Sequence, residues 1–466
     1  MSAVEAAPTF AFEPIAPTPR PTPPPNFIFL RSLQVLPTLI RNPLETFSED
    51  AFTDPVAFTQ VFNQPMMLLH DPALIRAAFV DHADQIKPDR VRQTVLKPAL
   101  RDGLLTAEGP LWKRSRRTLA PVFAPRHVDG FAKSMAVNAR AFAAELAAAP
   151  GEHKVSEAMS ALAYRVLSAT LFSGDIDQDA GQVLADVSHF LEHLSHPDPF
   201  DLLAAPDWMP RLTKLRGHRA LKRLRQTVRT TATRRRARLE AGNDVPQDFL
   251  TLLLQAGEQG EAPLTMDEVE DNIITFIAAG HETTARALAW TLYLLSQDPT
   301  ARERCEREAD NVDTTAPPQD WAEQAPWITA CFEESMRLFP PAPLIARETT
   351  QAFKLGEYDL PKGLTIMTSP YILHRHETLW DNPARFDPSR FCGEARSAID
   401  RFAYLPFGMG PRVCIGQRFA MQEAVVILVE LLRKLRFTYT DTKKPWPIMR
   451  ITIQPDNGMP MGVTPR

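Results

Sequence analysis

The run from Thr265 to Gln297 carries no proline, in a chain that has 43 of them among 466 residues. Proline inside a helix removes a hydrogen bond and clashes with the preceding turn, so its absence permits one unbroken helix. Thr265-Met266-Asp267-Glu268 reads as a capping box, in which the threonine hydroxyl and the glutamate carboxylate each satisfy a free N–H. Asp298-Pro299 ends the run. About 33 residues at 1.5 Å each give a helix of roughly 50 Å, long enough to cross a whole domain.

Near its middle stands Ala279-Gly280-His281-Glu282-Thr283-Thr284. Glycine in a helix interior costs about 1 kcal/mol relative to alanine, so Gly280 asks for a reason. It permits close approach of a flat ligand, and a threonine bonding back to a carbonyl can open the helix locally for water. A kink without chemistry is the plain alternative. His281-Glu282-Thr283-Thr284 also approaches a zinc-protease motif, but the second histidine would have to stand at Ala285.

The second constraint is Phe407-Gly408-Met409-Gly410-Pro411-Arg412-Val413-Cys414-Ile415-Gly416. Two glycines and a proline within four residues prescribe a tight turn. Beyond it, Phe419, Ala420, Ala424, Ile427, Leu428, Leu431, Leu432 and Leu435 recur at helical spacing, predicting a buried helix over Gln417–Arg436. Cys414 then lies at a helix N-terminus, where free N–H groups and the dipole favour a thiolate. Such a thiolate suits axial ligation of haem iron. An ordinary buried thiol is the bland alternative. A dinucleotide-binding loop fails, because its third glycine would fall on Val413.

Phe-Gly-x-Gly-x-Arg-x-Cys-x-Gly resembles the haem-ligand signature of the cytochrome P450 superfamily. Ala279–Thr284 resembles that family's oxygen-activation motif, with Glu282 at the acid position and Thr283 at the hydroxyl position. Glu334-Ser335-Met336-Arg337 resembles its Glu-x-x-Arg, and Phe386-Asp387-Pro388-Ser389-Arg390-Phe391 its meander, with Ser389 where a glutamate is usual. The resemblance runs over about residues 27–466. It implies a mainly α fold with small β-sheets, a triangular prism with the long helix over the haem. It further implies haem b (iron protoporphyrin IX) with Cys414 as axial thiolate, and a cofactor site including Phe407, Gly408, Gly416, Ala279 and Gly280. The haem carboxylates would meet Trp112, Arg116, Arg347 and Arg412, and Glu334, Arg337 and Arg390 would form a buried triad. Phe276, Ile277, Ala342, Leu344, Ile345 and Met459 match positions that line the substrate pocket. None is charged, which points to an apolar or weakly polar substrate.

Elsewhere the sequence adds less. Residues 1–26 hold eight prolines and read as an extended, poorly ordered leader, with a single catalytic domain over 27–466. A hairpin is expected over Phe58–Leu69, broken at Asn63-Gln64-Pro65, then a short helix from Asp71-Pro72 through Phe79. Residues Ile86–Thr106 read as a loop near a ligand. Helices are expected over Phe131–Ala148, Val155–Phe172 and Pro326–Leu338, and a loop over Pro206–Pro210. Arg211–Arg238 carries twelve basic residues and no acidic one. Its Leu212, Leu215, Leu221, Leu224 and Val228 form an apolar stripe, so a solvated basic face is favoured, with docking of an acidic redox partner as the functional option.

A net charge of −4, from 52 basic and 56 acidic residues, makes no case for nucleic acid. Four scattered cysteines fit a reducing cytoplasm, and no run near the start is long enough to span a bilayer. The implied activity is a monooxygenase fed by a separate electron carrier, either a ferredoxin with its reductase or a flavoprotein. A peroxide-driven or isomerase-like haem-thiolate enzyme, and a non-catalytic haem protein, are the alternatives.

Overall fold

The computed structural model describes residues 12–20, 28–61, 64–175, 185–186, 218–259 and 264–466. The expected loop at 206–210, and Leu212 and Leu215 of the basic segment, lie outside these. Helices dominate the described residues. Those used below are α1 (Ile28–Arg41), α2 (Arg90–Leu100), α3 (Gly109–Leu119), α4 (Pro125–Ala148), α5 (Val155–Phe172), α6 (His218–Glu240), α7 (Phe249–Gln259), α8 (Met266–Gln297), α9 (Pro299–Asn311), α10 (Pro326–Leu338) and α11 (Gln417–Leu432).

The proline-free run forms α8 as its residues dictate. Thr265 accepts from the Glu268 N–H at 3.2 Å and its own N–H donates to Glu268 Oε2 at 2.8 Å, completing the capping box. From Ala287 to Leu295 every residue is buried, against α5, α10 and α11. Trp290 stacks flat on Phe339, with centroids 3.8 Å apart.

Among the described residues, four small sheets flank the helices. The largest has the order β1-β2-β8-β5-β3, built from β1 (Val56–Val61), β2 (Gln64–Leu69), β3 (Ile86–Pro88), β5 (Ile345–Thr349) and β8 (Thr365–Thr368). β1 and β2 form the expected hairpin, Val56 opposite Leu69. β4 (Gly151–Lys154) and β9 (Leu435–Tyr439) flank β12 (Pro460–Pro465), while β10 (Pro447–Met449) pairs with β11 (Ile453–Pro455). β6 (Phe353–Leu355) and β7 (Tyr358–Leu360) complete the set.

Several expectations shift. α11 stops at Leu432, and Leu435, counted above in its apolar stripe, is the first inward residue of β9. Leu435 and Phe437 face the core while Arg436 and Thr438 face out, a period of two that overrides the helical spacing. The helix capped by Asp71 ends at Arg76 and widens into a π turn over Ala77–Asp81. Within 86–106, Ile86–Pro88 form β3 and Arg90–Leu100 form α2, capped by Asp89, and 101–106 are turns. Within the proline-rich start, residues 12–20 lie on the body: Phe386 N–H donates to Phe12 O, and Phe12 meets Tyr293 edge-on.

Several arginines of α6 are engaged in internal ion pairs, while Arg219, Lys222 and Arg234 are exposed. Arg225 Nη1 donates to Glu270 Oε1 at 2.5 Å and Asp271 Oδ1 at 2.7 Å, Arg229 pairs with Asp267 and Glu270, and Arg235 with Asp175 and Asp248. These charges clip α6 onto α8 and its surroundings.

A seam also joins the residues after α2 to α8. Asp102 N–H donates to Asp271 Oδ2 at 3.3 Å and Leu104 N–H to Asn272 Oδ1 at 2.9 Å. A methyl group on Gly103 would overlap Thr275 Oγ1 and lie 2.7 Å from Asp271 O, so only glycine lets the two backbones approach this closely. Among the described residues, no helix is long and apolar enough to cross a membrane.

Candidate active site

A cavity of about 1550 Å³ lies between the middle of α8 and the loop before α11. The loop is shaped by its glycines. Gly408 and Gly410 sit at φ 76° and 65°, and a side chain on Gly410 would overlap the Phe79 carbonyl. Cys414 N–H then closes the turn onto Phe407 O at 2.9 Å. Phe407, Gly408, Arg412, Cys414 and Gly416 all line the cavity. Cys414 is exposed to this cavity rather than packed. Burial nevertheless pushes its thiol above the ordinary value, while the Gly416 N–H and then Arg116 pull the other way. The helix N-terminus favours the thiolate, as expected, but desolvation wins unless a cation sits at the sulfur.

Opposite, Phe276, Ala279, Gly280, Thr283 and Ala287 line the cavity at three- and four-residue spacing. Thr283 Oγ1 donates to Ala279 O at 2.8 Å and Thr284 Oγ1 to Gly280 O at 3.2 Å. Both hydroxyls bond back to carbonyls within one turn of an otherwise unbroken helix, where it meets the cavity. A methyl on Gly280 would press Leu167 of α5 at 3.3 Å, so the glycine also accommodates a protein neighbour. Glu282 Oε1 accepts from Thr452 Oγ1 at 3.0 Å and from Arg286 Nη2 at 3.4 Å, which ties it to the turn between β10 and β11.

One wall carries four guanidiniums: Arg92, Arg116, Arg347 and Arg412. Burial, then repulsion from Arg92 and Arg412, pushes Arg347 down to about 9. Burial and Arg92 likewise push Arg412 down to about 10. Arg92 and Arg116 are lowered by burial. Asp89 and Glu108 pull upward without offsetting this. Arg412 stacks 4.4 Å over the Trp112 ring and donates to Ala107 O at 2.8 Å; Arg347 donates to Ala346 O at 2.7 Å. Like charges crowded out of water in this way call for anions.

Trp112, Arg116, Arg347, Ala342, Leu344 and Ile345 all reach the cavity, as expected. Two residues do not belong with them. Ile277 is buried in the main core, one step round α8 from Phe276. Met459 is fully buried under β12, its carbonyl accepting from Val155 N–H at 3.0 Å. The turn that lines the cavity is instead Met449-Arg450-Ile451-Thr452, one hairpin earlier. Arg450 therefore corrects the expectation of a chargeless pocket.

Sequence reasoning also missed Arg92 and Glu423. Arg92 sits in the segment read as a loop, where Pro98 hid the helical pattern. Glu423 of α11 lies fully inside the core with Oε1 unpartnered, and burial pushes its carboxyl up to about 8, against a hydrogen bond with Thr284. Its position among apolar neighbours was the available signal.

Away from the cavity, Glu334, Arg337 and Arg390 come together. Arg337 Nε and Nη2 grip Glu334 at 2.6 and 2.8 Å, and its remaining donors reach the carbonyls of His374, Pro383 and Arg385 at 2.7–2.8 Å. Asp387 N–H adds 2.8 Å to Glu334 Oε1, and Arg390 Nε stands at 3.7 Å. Beside them burial pushes His374 down to about 3, so it is neutral, and its Nε2 accepts from Leu405 N–H at 2.8 Å.

A sequence model of the family described as Cytochrome P450 matches residues 21–460. Cyclooctatin synthase of Streptomyces melanosporofaciens is 33% identical over 405 residues, 84% of this chain and 85% of that protein. A cytokinin hydroxylase of Arabidopsis thaliana is 30% identical over 412 residues, 86% of this chain and 79% of its own. The crystal structure of the cytochrome P450DA haem domain superposes with a TM-score of 0.80 over 97% of this chain and 99% of that one, at 24% identity. That last likeness concerns the fold.

Proposed function

The chain belongs to the cytochrome P450 family, and from that premise we propose a haem-thiolate monooxygenase in which Cys414 binds the iron of haem b. The observation that carries this is one cavity that joins Cys414, the Ala279–Thr284 turn of α8 and four desolvated arginines. The donor set fits the cofactor: the thiol needs a cation to hold its charge, and the arginines need anions such as two carboxylates. When bound, the haem supplies oxygen activation, with thiolate donation favouring O–O cleavage.

The protein's own residues then have distinct tasks. The Phe407–Gly416 loop fixes the sulfur, because Gly410 is wedged against Phe79 and Cys414 N–H is tied to Phe407 O. Arg92, Arg116, Arg347 and Arg412 take the carboxylates, with Trp112 holding Arg412 in plane. Thr283 exchanges its bond to Ala279 O for one to a water in the cavity and passes a proton inward. Glu282 orients that water chain from its anchorage on Thr452 and Arg286. Phe276, Ala342, Leu344 and Ile345 hold the apolar body of a small organic substrate and exclude water from it. Electrons come from a separate ferredoxin or flavoprotein docking near the Cys414 loop, in the cytoplasm.

The test is the spectrum of the reduced protein with and without carbon monoxide. A strongly red-shifted Soret band that is lost in Cys414→Ala and Cys414→His supports the reading. Folded, haem-supplied protein without that band overturns it. Turnover by peroxide alone, with no response to reductant, would replace the monooxygenase by a peroxide-driven enzyme.

A further inference from the structure

We propose that Arg450 anchors the carboxylate of the substrate, so that the enzyme takes organic acids with an apolar body in preference to neutral compounds. This rests on the haem-thiolate reading above. Arg450 stands at the tip of the turn between β10 and β11, and the turn lines the same cavity as Cys414. Its Nη1 donates to Arg41 O at 2.7 Å, at the end of α1, and to Met449 O at 3.2 Å. These carbonyls hold the guanidinium in place without neutralising it. Nε is buried and has no partner, and among the described residues no carboxylate pairs with Arg450. Burial alone lowers its basicity, with no acid nearby to raise it.

The neighbouring acid is already committed. Glu282 binds Thr452, two residues along the turn, and pairs with Arg286, which also reaches Gln454. Arg450 is thus set apart from the arginines of the Cys414 wall, which two cofactor carboxylates would satisfy. It sits at the outer end of the cavity, beside α1, whose Leu39 and Ile40 line that end together with the exposed Phe58. A partly buried guanidinium with free donors in an apolar surround is stabilised most by a planar oxyanion that accepts from its fork. A single fork matches a single carboxylate; a dianion would leave a second charge unmatched. The apolar walls between this point and α8 take the remainder of the molecule.

The experiment uses the full-length holoprotein. Dodecanoic acid, dodecan-1-ol and dodecyl phosphate are titrated while the ferric spin state is followed, and the affinities are checked by equilibrium dialysis. Wild type should bind the acid on the order of tenfold more tightly than the alcohol, the scale of one charge-assisted contact. Arg450→Gln should lose that margin for the acid while changing the alcohol less than about twofold, and Arg450→Lys should recover part of it. Equal binding of acid and alcohol by wild type, or equal losses for both in Arg450→Gln, overturns the proposal and leaves Arg450 as a tether for α1. Tighter binding of the phosphate overturns the choice of carboxylate. The reduced carbon monoxide spectrum of each sample keeps the two levels apart. A missing thiolate band refutes the family-based reading, whereas a normal band without acid preference refutes the anchor alone.

Discussion

The buried arginines around Arg337 and those around Arg347 and Arg412 are accommodated in opposite ways. Around Arg337 every donor has its acceptor: a bidentate carboxylate and three carbonyls. Burial pushes the Glu334 carboxyl up and the Arg337 fork pulls it back, though not the whole way. Around Arg347 and Arg412 the guanidiniums mainly face one another, and both are pushed down in basicity by burial and mutual repulsion. Arg337 is fully satisfied as the chain folds, while Arg390 Nε beside it stays unpartnered at 3.7 Å from Glu334. Arg347 and Arg412 each donate to a carbonyl only, at 2.7 and 2.8 Å. A buried charge network therefore says little about stability until its partners have been named, since one of these is closed by a carboxylate and carbonyls while the other is lowered in basicity by its own members.

The contrast can be broken most sharply at its closed end. Glu334→Gln or Arg337→Met leaves an uncompensated buried charge, costing about 3–5 kcal/mol out of a total stability of about 5–15 kcal/mol. The expected result is little soluble protein and a large drop in urea midpoint. At the open end Arg347→Met or Arg412→Met should leave the apoprotein as stable as before, or more so, because repulsion is relieved. Haem affinity should fall by roughly one to two orders of magnitude per arginine, as for a charge-assisted bond of about 1.5–3 kcal/mol. Haem transfer to an apoglobin, beside urea unfolding of the apoprotein, checks both halves. If the two sets of variants behaved alike, the comparison would be wrong.

Glu423 sharpens it from a third side, because this buried acid stays neutral instead of pairing. Its carboxyl is raised from 4.5 to about 8 in the folded state. The native state thus holds one more proton than the unfolded chain between those values, so stability falls as pH rises through that window. The slope is about 1.4 kcal/mol per pH unit from this group. Urea midpoints of wild type and Glu423→Gln, measured at several pH values from 5 to 9, should converge or cross in that direction. A wild-type protein that gained stability relative to the variant over the window would refute the assignment. The smallest effect belongs to the surface: Arg229→Ala on α6 should cost under about 1 kcal/mol, since Arg229 is half exposed and Arg225 still serves Glu270.

Legibility in the sequence followed how local the cause was. The capping box, the glycine loop before Cys414 and the span of α5 depend on neighbours in the chain, and they could be read directly. The Glu334–Arg337 pair was readable from its three-residue spacing, whereas its burial followed only from the family resemblance, since it depends on carbonyls from residues 374 to 385. Leu435 was misread because a leucine fits both a helix stripe and the first inward place of a strand; only pairing with β12 decides. Met459 was placed in the pocket because residues 453–460 were read as one hairpin; β11 pairs instead with β10, and the turn between those two, with Arg450, lines the cavity. Arg92 escaped because Pro98 disguised α2, although Asp89 marked its start.

The seam at Gly103 bears on how molecules enter and leave. Residues 102–104 are bonded to α8, and Arg225 of α6 also donates to Ala99 O at 2.7 Å. Movement of this wall would strip hydrogen bonds from three elements together. The turn at Arg450 is fastened on two sides as well, by Arg450 to Arg41 O and Met449 N–H to Asn42 Oδ1 beside α1, and by Thr452 to Glu282 of α8. Amide protons of Asp102 and Leu104 should therefore be among the slowest to exchange.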